Sequence, residues 1–326
     1  LNQNAFFKSI KAGDIRPVYA LLGAEDWLKR RAVDMLRLAI VPAGLEPFNF
    51  VRLGEGAALP ELTAACDTLP YMNGRRLVVA SCDGLFQKDA EGLAAYLEKF
   101  PDACCLVLLS GDAKTKLPKA LNGLVEAVVF EKMSEDLNAK YLVQQAGKEG
   151  VELSVKLAAL LVRMAGEDME RAENELEKVC AYALAGNALT QAALERLVTP
   201  VAEYNVFAMI DMFFAGRTGQ GMRLLSGMLE NGESPLGICS LLAGRFRAML
   251  RARALLDGGA SAETAARAIG GSPYAAQKAV SASRSQSFAA LRRAYELLLT
   301  CDVRIKSGHM PQQTALEHAV LKIFAG

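Results

Sequence analysis

Histidine is nearly missing: only His309 and His318 occur in 326 residues. A histidine-based metal site or catalytic triad therefore has little material to work with. No C-x-x-C pair and no G-x-S-x-G occur, and the seven cysteines are an odd number. Cys66, Cys82, Cys104, Cys105, Cys180, Cys239 and Cys301 lie mostly in apolar runs, the pattern of reduced core thiols rather than a disulfide framework. Excess charge of either sign is missing too, since 37 basic residues face 36 acidic ones. Total charge thus gives no support to a chain that coats nucleic acid by itself, although it leaves room for a local basic patch. No apolar run is long enough for a bilayer, and no charged-then-apolar leader pattern opens the sequence. The expectation is a cytoplasmic protein with no membrane partner.

What is present is a globular composition, 52% hydrophobic and 22% charged, in a chain long enough for two or three domains. The first part alternates apolar strands with helical patterns. Pro17 to Leu22 reads as a buried strand, and Gly23 turns the chain. Asp26 then suits the cap of a helix with a Leu28, Ala32, Met35 and Ala39 stripe. Phe48 to Leu53 alternates like a second strand, followed by a short helix with Leu59, Leu62, Ala65 and Leu69 on one side. Leu77 to Ala80, Ala103 to Leu109 and Val125 to Phe130 are three further strands, separated by helical segments around Leu93–Leu97 and Leu117–Leu121. Such alternation implies a largely parallel sheet covered on both faces.

From Ser134 onward no strand pattern appears. Helices are expected from Ser134, over Ser154 to Met164, Asp168 to Ala183 and Thr190 to Val198, where Thr199-Pro200 breaks the pattern. A larger helical array follows, punctuated by Gly232, Gly258-Gly259, Gly270-Gly271-Ser272-Pro273 and Gly308. The expected layout is an α/β domain over residues 1–133, a small helical domain over 134–200 and a larger helical domain over 201–326.

A strand, turn and helix at the start of an α/β domain suggest a P-loop, which needs G-x-x-x-x-G-K-[ST] to surround phosphates and hold magnesium. Here the place reads Gly23-Ala24-Glu25-Asp26-Trp27-Leu28-Lys29, without the second glycine and without Ser or Thr after the lysine. Glu25 and Asp26 at the helix start are expected to satisfy its N–H groups from within the chain and to repel a triphosphate. Asp83 follows a strand but is not followed by a second carboxylate, so it reads as a turn aspartate. Ser110 to Lys116 reads as a polar strand-to-helix loop. Arg171, between Glu170 and Glu173, reads as part of a solvated ion-pair face, and Glu173 to Lys178 as an exposed charged stretch.

Two segments remain as candidates for recognition. In Leu69-Pro70-Tyr71-Met72-Asn73-Gly74-Arg75-Arg76, a bulky apolar pair stands where the chain is expected to turn through water. Either Tyr71 and Met72 fold back over the sheet edge, or they point outward as an anchor for a partner's pocket. The helix from Leu236 to Leu256 carries Arg245, Arg247, Arg251 and Arg253. Arg247 and Arg251 share a side, the other two lying on different faces; the pair reads either as a phosphate-contacting patch or as a solvated helix surface or subunit contact, the latter two being no weaker readings.

Taken together, several segments resemble one family, the delta subunit of the bacterial DNA polymerase III clamp loader. They are Pro17 to Gly23 with Glu25-Asp26; Leu69-Pro70-Tyr71-Met72 running into Arg75-Arg76-Leu77-Val78-Val79; and Asn174-Glu175-Leu176-Glu177-Lys178. Asn205-Val206-Phe207 with Ile210-Asp211, Ser234-Pro235-Leu236, Leu241-Leu242-Ala243 and Arg245-Phe246-Arg247 continue the series. Ser272-Pro273-Tyr274 with Lys278, Asp302 with Lys306-Ser307-Gly308, and Ala315-Leu316-Glu317 complete it.

The resemblance implies an AAA+-like parallel-sheet domain, a helical lid and a C-terminal helical collar, with a degenerate nucleotide site at Gly23, Glu25 and Asp26. It implies no cofactor and no enzymatic activity of the subunit itself, within a polymerase assembly that is a nucleotidyltransferase. The family's apolar pair falls on Tyr71 and Met72, with Leu69 just upstream, as the element that enters a pocket of the sliding clamp and opens its ring during DNA replication. Methionine stands in place of the more usual second phenylalanine, and a thioether chain still fills an apolar pocket. The implied partners are the sliding clamp (the beta subunit), the gamma/tau and delta prime subunits, and primer-template DNA within the complex. The competing readings are a divergent P-loop ATPase or nucleotide-binding protein, and a helical adaptor with no clamp-directed role.

Overall fold

The computed structural model describes residues 2–72 and 74–324, so Asn73 of the expected turn lies outside the described residues. The chain divides into two compact units, residues 1–134 and 135–326. The second unit contains both helical segments that the sequence divides at Pro200.

Five parallel strands form the first unit's sheet: β1 (Val18–Leu22), β2 (Phe50–Arg52), β3 (Arg76–Ser81), β4 (Cys104–Leu109) and β5 (Glu126–Val129), in the order β2-β3-β4-β1-β5. Their registers include Val18 against Leu106, Leu77 against Cys105 and Phe50 against Leu77. Near-continuous apolar strands are what a sheet buried on both faces requires, and all five residues of β1 are buried. On one face Val18, Ala20, Val78 and Leu106 pack with Leu62, Phe86 and Leu93. These last three come from α4 (Leu59–Asp67), α5 (Asp83–Lys88) and α6 (Ala90–Leu97). Toward the other side Tyr19 meets Phe6 of α1 (Gln3–Lys11) edge-on, with ring centroids 5.1 Å apart. Helix α2 (Asp26–Ile40) packs against α1 and β3.

Several local expectations are corrected. In α2 the buried positions are Trp27, Leu28, Lys29, Ala32, Val33 and Leu36, while Ala39 is exposed, so the stripe is rotated from the expected one. Large side chains at 27, 33 and 36 win the core over the small ones. Phe48 is not in a strand: Glu46–Asn49 forms a one-turn helix, α3, with Pro47 in its first turn, and β2 starts only at Phe50. Leu69 lies beyond the end of α4, whose buried residues are Leu62 and Cys66. The segment near Leu117–Leu121 is a single 3-10 turn, Lys119–Leu121. Helices α1 and α5 have no counterpart in the sequence reading.

The second unit is helical throughout its described residues: α7 (Glu135–Lys148), α8 (Val155–Met164), α9 (Met169–Leu184), α10 (Gln191–Leu197), α11 (Ala202–Phe214), α12 (Thr218–Glu230), α13 (Pro235–Asp257), α14 (Ala262–Ile269), α15 (Pro273–Arg284), α16 (Phe288–Lys306) and α17 (Gln312–Phe324). Side-chain caps start many of them, with Ser154, Asp168, Thr190, Ser272 and Ser287 each accepting from the N–H three residues on. Each such cap contributes about 1 kcal/mol. Helix α13 runs through the larger cluster, placing Leu242, Phe246 and Met249 among Leu298 of α16 and Leu316 of α17. Phe213 and Phe324 stack there at 4.2 Å. Among the described residues no helix is long and apolar enough to cross a membrane.

Candidate functional site

Between α4 and β3 the chain passes through Thr68 to Arg75 at the N-terminal end of a central strand. Thr68 is extended, at φ −68° and ψ 121°, and ends the helix. Leu69 is then 80% exposed, Tyr71 51% and Met72 71%. Leu69 and Met72 therefore stand in water, and Tyr71 is half-exposed.

The tip is nevertheless held. Asn49, wholly buried at the end of α3, accepts a hydrogen bond from Tyr71 N–H at 2.7 Å and donates one to the Tyr71 carbonyl at 3.1 Å. The Tyr71 ring lies against Phe48, with centroids 4.8 Å apart and planes tilted by 31°. Met72 occupies the left-handed region at φ 61°, which costs a side-chain-bearing residue about 1 kcal/mol and persists where surrounding contacts enforce it. Arg75 and Arg76, which a turn pattern alone would leave solvated, instead root the loop. Arg75 donates to Ile15 O at 3.3 Å and to Cys104 O at 3.0 Å, and Arg76 to Phe48 O at 2.6 Å.

At the opposite, C-terminal end of the strands lies the turn that a P-loop would occupy. Gly23 has φ 98°, and a Cβ there would stand 2.3 Å from Phe130 O, so only glycine fits. Lys29, six residues on, has the spacing of a P-loop lysine, a signal the sequence offered. Its side chain is 4% exposed; the amine donates to Gly23 O at 2.9 Å and Ser110 O at 2.6 Å and pairs with Asp26 at 2.8 Å. All three of its N–H directions thus have partners within the chain. Glu25, not Asp26, is the N-cap residue of α2, and its side chain makes no capping hydrogen bond; its N–H donates to Phe130 O at 3.3 Å. Capping by this carboxylate pair is therefore corrected: Asp26 serves the lysine.

Asp83 is equally engaged. Its carboxylate accepts from Ser110 Oγ at 3.0 Å, Gly111 N at 2.7 Å and Thr115 Oγ1 at 2.7 Å. Burial raises this carboxyl, but hydrogen bonds from Thr115, Gly111 and Ser110 outweigh it and hold the group below its ordinary value.

In the helical unit, Arg247 donates to Tyr295 OH at 3.3 Å and lies over that ring, and Arg251 donates to Ala268 O at 3.2 Å. Both line a groove of about 260 Å³ beside Gly270, Gly271 and Ser272. Arg245 lines it too, against the expectation that it faces elsewhere; it pairs with Glu203 and lies 4.2 Å over the Phe207 ring, and burial lowers its pKa. Arg171 reaches Thr199 O at 3.0 Å, bracing a turn from the exposed face. Glu175 is buried beside Lys178, so the Glu173 to Lys178 stretch is not wholly exposed. All seven cysteines are free and buried, and burial pushes Cys82 and Cys105 up to about 12, which keeps them protonated and unreactive. No cluster of three or more metal-ligating side chains occurs among the described residues.

The family model for DNA polymerase III, delta subunit, matches residues 19–132, and that for the DNA polymerase III delta subunit, C-terminal domain, matches residues 203–323. DNA polymerase III subunit delta of Bacillus subtilis is 25% identical over 331 aligned residues, covering 97% of this chain and 95% of that one. The solved Bacillus subtilis DNA clamp loader delta protein shares the fold, with a TM-score of 0.71, 24% identity and coverage of 99% and 100% of the two chains. With both halves of the molecule matched, the chain belongs to the DNA polymerase III delta subunit family.

Proposed function

We propose that this chain serves in DNA polymerase III clamp loading as the subunit that binds the sliding clamp and opens its ring. The observation that supports this most is the outward tip: Leu69, Tyr71 and Met72 exposed on a loop rooted in the sheet, in a chain of this family. Large side chains fixed in water at no benefit to their own core are what a partner's apolar pocket requires. Ring opening then follows as differential binding, since a wedge favours the open or distorted ring only by fitting it better than the closed one.

Energy for the cycle enters through neighbouring subunits in this reading. With Lys29 committed to Gly23 O, Ser110 O and Asp26, the lysine at the P-loop position is not available to a triphosphate. The partners are the sliding clamp, the gamma/tau and delta prime subunits, and primer-template DNA within the complex. Residues 134–200 act as the lid and 201–326 as the collar, where the groove bearing Arg247 and Arg251 faces DNA or a neighbouring subunit.

The test is clamp affinity of the full chain carrying both Tyr71→Ala and Met72→Ala. Two buried anchors of ordinary strength predict at least about a hundredfold loss, with an unchanged unfolding midpoint. Unchanged affinity would overturn the proposal. Titration with a fluorescent ATP analogue and magnesium is expected to show no saturable binding; micromolar binding would favour the ATPase reading.

A further inference from the structure

Asn49 is a polar side chain with no exposure at all, and such a group persists in a fold only when its hydrogen bonds are satisfied. Its amide uses one acceptor and one donor on the N–H and C=O of a single residue, Tyr71, which lies 22 positions away in sequence. That is the bonding a neighbouring strand would give. Asn49 immediately precedes Phe50, the first residue of β2 paired with β3, through Leu77. The side chain therefore ties the loop to the start of β2, beside the first rung of the β2–β3 ladder.

Next to it, Phe48 is 52% exposed, rests on the Tyr71 ring and has its carbonyl held by Arg76. Met72, one residue beyond the stitched Tyr71, sits in the left-handed region that side chains avoid, a conformation that surrounding contacts must enforce.

We infer that Asn49 is the positioning residue of the tip, holding Tyr71 and Met72 in their presented conformation, and that the Phe48 ring is a further apolar surface met by the clamp. This rests on the reading of the tip as clamp-directed. Because Asn49 is buried it touches no partner; it sets the fraction of molecules whose loop is ready to bind. A fall in that fraction weakens apparent affinity in proportion and shows in the association rate. Loss of a contact shows instead in the dissociation rate.

The experiment measures association and dissociation rates of the full chain with the cognate sliding clamp, alongside amide hydrogen exchange. Asn49→Ala is expected to slow association about tenfold, the equivalent of two neutral hydrogen bonds of modest net strength. Dissociation stays within about twofold. Exchange at the Tyr71 amide rises about tenfold on the same grounds, while protection in β3 and β4 is kept. Phe48→Ala is expected to speed dissociation about fivefold through its lost ring contact, with Tyr71 exchange unchanged.

Where Asn49→Ala does not fold, Asn49→Asp keeps the acceptor for Tyr71 N–H and loses the amide donor to Tyr71 O, and it is expected to associate more slowly than the unsubstituted chain with dissociation within about twofold. A change for Asn49→Ala confined to dissociation would overturn the positioning role. So would wild-type rates for Asn49→Ala and Phe48→Ala beside a Tyr71→Ala, Met72→Ala protein that no longer binds; that outcome leaves the clamp-directed tip standing. Retained binding by the double variant removes both readings.

Discussion

At the C-terminal ends of β1 and β4, Lys29, Gly23, Ser110 and Asp83 are joined through hydrogen bonds within the chain; at the N-terminal end of β3, Leu69 and Met72 face water. Parallel α/β sheets ordinarily receive ligands at the carboxyl ends of their strands. In this molecule that end is closed by its own side chains, and the exposed apolar tip, the proposed clamp-binding element, lies at the other end. The same scaffold thus supports two opposite solutions. One end satisfies its polar groups inwardly, while the other leaves apolar groups exposed, as the proposed contact with a partner requires.

Three substitutions or conditions sharpen this contrast beyond the binding tests already given. The largest effect on stability is expected from Gly23→Ala, because the new Cβ meets Phe130 O at 2.3 Å in a backbone conformation at φ 98°. A loss of more than about 3 kcal/mol in urea unfolding is expected, and unaltered stability would mean the turn is looser than described. Lys29→Met comes next. It keeps an apolar stem but leaves Gly23 O and Ser110 O without their donor, at a cost of about 2–4 kcal/mol. Clamp affinity of the folded fraction is expected to stay unchanged, since the tip lies at the other end of the strands. Joint loss of stability and of clamp affinity would break the comparison.

Acidification gives the smallest effect. The folded Asp83 carboxyl titrates below its unfolded value, so its contribution is complete above the unfolded pKa of roughly 4 and is lost as pH falls through the folded one. Asp83→Asn is expected to flatten that part of the stability curve, measured by unfolding at a series of pH values. An identical acid response in both proteins would assign it to other carboxylates.

Much of this was legible in the sequence wherever the signal is local. Ser154, Asp168 and Thr190 announced their helices because a cap acts over three residues. The strands from Leu77 and Ala103 were legible because doubly covered strands are apolar throughout. Phe48 and Asn49 were misread as strand because alternation over a few residues cannot reveal a single helical turn started by Pro47. The work of Asn49 was invisible, since its partner is 22 residues away. Lys29 shows both sides: the missing glycine and hydroxyl were plain, but the inward turn of its amine depends on Ser110, 81 residues later. In α2 the expected stripe failed because a helix that meets both α1 and β3 buries a wider arc than one row of residues.

Arg75 carries one more consequence. Its guanidinium grips the backbone at Ile15 and at Cys104, one site ahead of β1 and one opening β4. Force applied to the protruding residues does not have to travel along a single covalent thread into β3; it is shared sideways among three strands. If the tip works as the proposed lever, it needs a stiff shank as much as a shaped blade, and a cation lashed across the grain of the sheet would supply that stiffness.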